Sequence, residues 1–199
     1  MSTYVRLGIL GSGKGSNFQA IVEKIARREL AAEIGLVLSD VADSGILKIA
    51  RDNNVPARWI DPGRYRYRLA PEVEEGVVRQ LREARVDWVV LAGFMRIVKA
   101  PLLTAFPRRI INIHPSLLPK YPGLEAWKQA LAAGEAETGC TVHYVEAGID
   151  TGEIIAQKKV PILSGDTPES LHARIQVAEH QLLPEVIAGL SDRTRNSPS

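Results

Sequence analysis

A single cysteine, Cys140, leaves the chain without an intramolecular disulfide or a cysteine cluster for zinc. It reads as a small buried apolar side chain rather than a nucleophile. No apolar run approaches the ~20 residues that a membrane-spanning helix needs. Met1-Ser2-Thr3 leads straight into a strand-like segment and does not read as a signal peptide. The expectation is a soluble cytoplasmic chain with no membrane partner. Charge of one sign is scarce as well: 25 Lys and Arg against 23 Asp and Glu give +2. That excess is too small to argue for a nucleic-acid partner, and it is compatible with small anionic molecules. Internal repeats and long linkers are also missing. What is present is 199 residues, 45% apolar and 24% charged, enough for one domain with its own core. We assign that domain to residues 1–190 and read the polar stretch 191–199 as a frayed tail. Monomer and homodimer both stay open.

Short apolar runs alternate with amphipathic stretches through the first half. Tyr4–Leu10, Glu33–Ser39, Ala57–Ile60 and Asp87–Ala92 read as strands, with helices at Asn17–Arg28, Ser44–Asn53 and Ala70–Arg85 between them. That alternation predicts an α/β fold: a Rossmann-like, mostly parallel sheet with helices on both faces. Arg108–His114 is a further strand. Cys140–Val145 and Glu153–Val160, separated by a short glycine-containing loop, are expected to pair as late antiparallel strands at one end of the sheet. Thr167–Gly189 reads as a long closing helix interrupted near Pro184.

Gly11-Ser12-Gly13-Lys14-Gly15-Ser16-Asn17 follows the first strand and precedes a helix, where free amides suit an anion. Ser16 and Gln19 have capping-box spacing. Gly8-x4-Gly13-Lys14 has Walker spacing, but Gly15 stands where a Mg²⁺-binding Ser or Thr belongs. Gly11-x-Gly13-x-x-Ser16 lacks the third glycine of the dinucleotide fingerprint, and Asp40 is a weak match to its ribose-binding acid. A monophosphate loop fits better than either, with a ligand-free tight turn as the alternative.

Asn112 and His114 share a face of the strand Arg108–His114, opposite Ile111 and Ile113. Pro115 holds His114 extended and ends the strand, so the pair sits at a carboxyl edge where open α/β sheets bind ligands. An amide can stabilise an oxyanion and an imidazole can move protons near neutral pH. The segment from Pro115 to Gly123 carries three prolines and suits a rigid substrate wall. In the late loop Glu146–Gly152, Asp150 is either a turn residue or a carboxylate partner that favours the His114 imidazolium.

Leu91-Ala92-Gly93-Phe94-Met95-Arg96-Ile97, followed by Asn112-Ile113-His114-Pro115-Ser116-Leu117-Leu118-Pro119-Lys120-Tyr121-Pro122-Gly123, resembles the bacterial glycinamide ribonucleotide transformylase family. Gly15-Ser16-Asn17, Asp150-Thr151-Gly152 and Gln176-Val177-Ala178-Glu179-His180 fall where that family has matching elements, so the resemblance runs to about Leu190. It implies the formyltransferase fold and formyl transfer from the co-substrate 10-formyltetrahydrofolate to the amine of glycinamide ribonucleotide. The reaction belongs to de novo purine synthesis and is a direct acyl transfer through a tetrahedral intermediate. Its partners are small molecules, with no metal.

By the same resemblance, Asn112, His114 and Asp150 form the catalytic trio. Gly15, Ser16 and Asn17 hold the substrate phosphate, with Gln176, Val177, Ala178 and Glu179 binding the same molecule. Met95, Arg96, Ile97, Val98 and Asn112 contact the folate. The family's Ser-Arg-Glu arginine is replaced here by the stretch Tyr65–Ala70, leaving Arg68 or Arg66 for the folate tail. His143 reads as a residue behind the site or beside the folate, His172 as helix surface, and His180 as either a support for substrate binding or a structural residue. The strand-end motif is shared with methionyl-tRNA formyltransferase and the formyltetrahydrofolate hydrolases. The former carries an extra C-terminal domain and the hydrolase an N-terminal regulatory domain. The loops Gly15–Asn17 and Lys120–Gly123 look like the glycinamide ribonucleotide branch. A 10-formyltetrahydrofolate hydrolase and a non-catalytic phosphate- or nucleotide-binding module are the alternatives.

Overall fold

Apolar residues at every second position build two cores back to back. In a computed structural model describing residues 4–190, strands β1 (Val5–Leu10), β2 (Ala32–Ser39), β3 (Ala57–Trp59), β4 (Trp88–Leu91), β5 (Ile110–His114), β6 (Glu137–Tyr144) and β7 (Ile154–Pro161) form one sheet. Its spatial order is β3-β2-β1-β4-β5-β6-β7. The first five are mutually parallel; β6 pairs antiparallel with both β5 and β7. Residues 191–199, read above as a tail, lie outside the described residues.

Val90, Ile111 and Ile113 face one core, and Val89, Leu91 and Ile110 face the other, as strand alternation requires. The first core is closed by helices α1 (Ser16–Ala26), α2 (Gly45–Asp52) and α6 (Pro168–Ala188). The second is closed by α3 (Pro71–Glu83) and α4 (Ala100–Ala105). The sixth helix, α5 (Ala126–Ala132), packs against α6. Buried residues at helical spacing, such as Phe18, Ile21 and Val22 on α1 and Val77, Val78 and Leu81 on α3, supply the contact faces.

Two local expectations change. α6 runs unbroken through Pro184. Leu182, Leu183, Val186 and Ile187 are all buried around it. Their burial, about 1.5–3 kcal/mol for each large side chain, outweighs the ~3 kcal/mol that an interior proline costs. Ser16 and Gln19 form no capping box: Gly15 is the N-cap, in the left-handed region, so Ser16 is already helical. The capping box lies at α6 instead, where Ser170 N donates to Thr167 Oγ1 at 3.2 Å and Thr167 N donates to Ser170 Oγ at 3.0 Å. Cys140 is fully buried and its thiol is pushed up to about 12 by burial, so it stays protonated at neutral pH.

Candidate active site

Strand β1 has β2 on one side and β4 on the other, so the connections leave it in opposite directions. At such a switch point the loops beyond the strands' carboxyl ends part and leave a crevice. Here the loops after β1 and β4 are laced together. Ser12 N donates to Gly93 O at 3.0 Å, and Met95 N donates to Ser12 Oγ at 2.9 Å. The end of β5 lies beside them.

Asn112 and His114 end β5 on one face, and Asp150 meets both. One Asp150 carboxylate oxygen lies 3.3 Å from His114 Nδ1; the other accepts from Asn112 Nδ2 at 3.4 Å. Gly123 N donates to Asp150 at 2.8 Å, tying the late loop to the proline-rich wall. That wall is pinned in turn: Leu118 N donates to Thr141 Oγ1 at 3.1 Å, and Gln157 Nε2 donates to Leu118 O at 2.8 Å. Among the two sequence readings of Asp150, the geometry therefore favours the partner over a turn residue alone.

A fourth member, expected behind the site or beside the folate, stands behind Asn112. His143 is directly opposite Asn112 in the β5–β6 ladder, and its Nε2 lies 3.2 Å from Asn112 Nδ2. His143 Nδ1 donates to Tyr144 O at 2.8 Å, which leaves Nε2 to accept from Asn112. The signal was the antiparallel register of β5 with β6, not a motif.

Burial pulls the His114 pKa below its ordinary value; the Asp150 charge and the Tyr121 carbonyl, 2.9 Å from Nε2, oppose that pull without cancelling it. The expectation of a raised His114 pKa is thus corrected, because the ring is 4% exposed and desolvation dominates. Both ring nitrogens nevertheless face acceptors, an arrangement that only the imidazolium satisfies fully. Burial pushes the Asp150 carboxyl up, but His143, the His114 charge and the Gly123 amide together hold it below the usual range.

The glycine loop forms the second wall. Gly15 has φ of 81°, and a Cβ there would lie 2.8 Å from Ile46 Cα. The left-handed backbone and the packing against α2 are each enough to demand a glycine here. Ser16, Asn17 and Phe18, the first residues of α1, have no earlier helical carbonyl to bond, so their amides form an open positive end. Gly15→Val is accordingly expected to cost roughly 2–4 kcal/mol of stability from backbone strain and overpacking. Urea denaturation measures it, and a midpoint unchanged from wild type would contradict the packing argument.

The folate wall divides its residues. Met95 is exposed, whereas Val98 is buried in the second core. Arg96 Nε bonds Asp40 at 2.6 Å and its Nη1 donates to Tyr65 O at 2.8 Å, so the guanidinium pins the 65–68 segment to the sheet. Asp40 also accepts from Ser12 and is therefore not free as a ribose-binding acid. Arg68 bridges to Ile97 as a parallel pair and stacks 4.1 Å over Tyr65; Arg66 is exposed beside Tyr67. Arg68 is thus the arginine next to the Met95–Val98 stretch.

On α6, Glu179 is 5% exposed and accepts from Asn17 Nδ2 at 2.9 Å. Burial raises its carboxyl to about 7, against the pull of Asn17. Gln176, one turn earlier, shares that side of the helix. Val177 is exposed and Ala178 is in the core, so neither faces the loop as Glu179 does. His172, read as helix surface, instead stacks on Trp127 with ring centroids 3.9 Å apart and planes 6° apart. His180 lines a cavity of about 320 Å³ between α1 and α6 with Ser16 and Glu23.

The formyl transferase family model matches residues 5–187. The chain is 40% identical over 191 residues to the phosphoribosylglycinamide formyltransferase of Bacillus subtilis, covering 94% of this chain and 97% of that protein. It is 48% identical over 188 residues to the trifunctional purine biosynthetic protein adenosine-3 of Drosophila pseudoobscura pseudoobscura, covering 94% of this chain but only 14% of that much longer protein. The structure of glycinamide ribonucleotide transformylase 1 from Symbiobacterium toebii superposes with a TM-score of 0.91 at 46% identity, covering 97% of this chain and 90% of that one. With the sheet order, the strand-end cluster and a match across nearly every described residue in agreement, the chain belongs to the formyl transferase family.

Proposed function

We propose that this chain transfers the formyl group of 10-formyltetrahydrofolate to the amine of glycinamide ribonucleotide, giving formylglycinamide ribonucleotide and tetrahydrofolate in purine synthesis. One observation carries the reading: Asn112, His114 and Asp150 converge at the end of β5 in a formyl transferase chain. The folate co-substrate brings the formyl group. The exposed Met95 and half-buried Ile97, with Arg68 alongside, would suit a flat ring with an anionic tail.

When the amine bonds to the formyl carbon, charge develops on the formyl oxygen and a proton must leave the attacking nitrogen. Asn112 Nδ2 is placed to donate to that oxygen. Its bond to His143 is firm, whereas the 3.4 Å bond to Asp150 is weak, so that second N–H is the one available to an oxyanion. His114 is placed to take the proton and return it to the folate nitrogen as the C–N bond breaks. Asp150 keeps the ring oriented and offsets part of the cost of burying its charge. On the other wall, the α1 amides would hold the substrate phosphate, with Glu179 and Gln176 toward the sugar.

A coupled assay tests this reading. Tetrahydrofolate should form only when glycinamide ribonucleotide is present, in equal amount to formylated product. Equal folate turnover without the amine would assign the site to hydrolysis instead.

A further inference from the structure

The imidazolium of His114 needs an acceptor at each nitrogen, and its two acceptors differ in kind. Asp150, at Nδ1, is a side chain that the late loop brings in. At Nε2 the acceptor is a main-chain oxygen, that of Tyr121, 2.9 Å away. A residue's type does not fix where its carbonyl points, so the surroundings of residue 121 must do so.

Tyr121 has φ of 54°, a left-handed conformation that a bulky side chain avoids and that persists only where its neighbours hold it. Two anchors hold it. From inside, the buried Ser116 donates its Oγ to Lys120 O at 2.6 Å, with Tyr121 O at 3.3 Å. From outside, Tyr121 Oη donates to Glu135 Oε1 at 2.8 Å, and Lys120 Nζ reaches the same oxygen at 2.8 Å. Glu135 lies between α5 and β6, and its amide donates to Ala130 O at 3.3 Å, so it is tied to α5 rather than to the proline-rich wall. The bonds from Lys120 and Tyr121 hold its carboxyl below the usual range, so at neutral pH it is an ionised acceptor for both. An unbroken line of contacts therefore runs from Glu135 through the Tyr121 phenol and the Tyr121 carbonyl to the His114 ring.

Resting on the function proposed above, we infer that Glu135 is a positioning residue for the formyl transfer: through the Tyr121 phenol it aims the Tyr121 carbonyl at His114 Nε2 and so supports the charged ring. Charge reaches that ring from two other elements. Asp150 on the late loop favours the imidazolium, and His143 on β6 opposes it. The Tyr121 carbonyl is the second group in favour, so its aim bears on proton transfer as well as on the shape of the wall.

Tyr121→Phe removes only the hydroxyl, and Glu135→Ala removes its acceptor. Loss of a typical hydrogen bond corresponds to about a 3- to 10-fold change in an equilibrium. In both variants kcat should fall by that factor, with the KM of either substrate near wild type. The His114 pKa, followed by nuclear magnetic resonance, should fall by about half a unit to one unit, the same change read on the pH scale. Glu135→Gln still offers the phenol an oxygen and should keep most of both values. Since the two residues act in series, the double variant Tyr121→Phe, Glu135→Ala should lose no more than either alone. A His114 titration unchanged in both single variants would overturn the assignment. So would a raised KM with normal kcat, or a lower urea midpoint as the sole effect, which would make Glu135 an anchor of the wall and nothing more. If Glu135→Ala does not fold, Tyr121→Phe and Glu135→Gln decide on the same readouts. If wild type fails to formylate glycinamide ribonucleotide, the function falls, and the His114 titration still decides the role of Glu135.

Discussion

His114→Ala is expected to lower kcat by about 10²–10⁴, and Asn112→Ala by about 10²–10³, each with a far smaller effect on the binding of either substrate. The ring sits between an acceptor on each side, Asp150 at Nδ1 and the Tyr121 carbonyl at Nε2. Asn112 is held by His143 from the opposite strand, and removing it also leaves His143 Nε2 without that donor. Because both side chains address one developing tetrahedral centre, the double variant should fall short of the product of the two losses. Ile113→Val lies on the other face of β5, in the first core, and should cost only about 0.5–1.5 kcal/mol of stability with little change in rate. Steady-state kinetics on purified variants separates these outcomes. A His114→Ala protein with near-normal kcat would remove the imidazole from the chemistry while leaving the family membership untouched.

The placement of that pair was legible because strand periodicity is local. Two residues apart on one strand means one face, and Pro115 marks where the strand stops. The partners were not legible in the same way. Asp150 reaches His114 across a loop whose path depends on Gly123 and on how β6 and β7 pair, neither of which a local pattern encodes. His143 needed the β5–β6 register, and pairing between strands distant in sequence cannot be counted from one strand alone.

The glycine loop shows a different failure. Its position between a strand and a helix was readable, but the packing reason for Gly15 was not, because the constraint is Ile46, far along the chain and in another helix. Nothing near His172 in sequence announces Trp127, so a helix-surface reading misses the stacked ring. Helices α4 and α5 span six and seven residues, too few turns for a periodic signal to emerge. Local chemistry was thus visible wherever the spacing lay within one element. It was lost wherever two elements had to meet.

Asp150→Asn is the variant that isolates charge from shape. Residue 150 has φ of 53°, a left-handed conformation that Asn tolerates and Ala does not share as readily. An Asn side chain can still accept from Gly123 N, so the loop should keep its anchor. What disappears is the negative charge 3.3 Å from His114 Nδ1. Burial already holds the His114 pKa below its ordinary value, and the carboxylate is the strongest group opposing it. The variant's His114 should therefore titrate lower still, by about one to three units, the range for loss of a close opposite charge.

A histidine whose folded pKa is depressed contributes stability above its unfolded pKa of about 6.5 that is lost as pH falls through the folded value. Lowering the folded pKa further widens that acid-sensitive window downward. At pH 7 the imidazolium that forms when His114 takes the amine proton is destabilised by the same one to three units, so kcat should drop by up to about 10–10³. Nuclear magnetic resonance titration of His114 in both proteins, beside kcat measured across pH 5 to 8, checks the two consequences together. An unshifted titration with normal kcat would reduce Asp150 to a turn residue that happens to lie beside the ring.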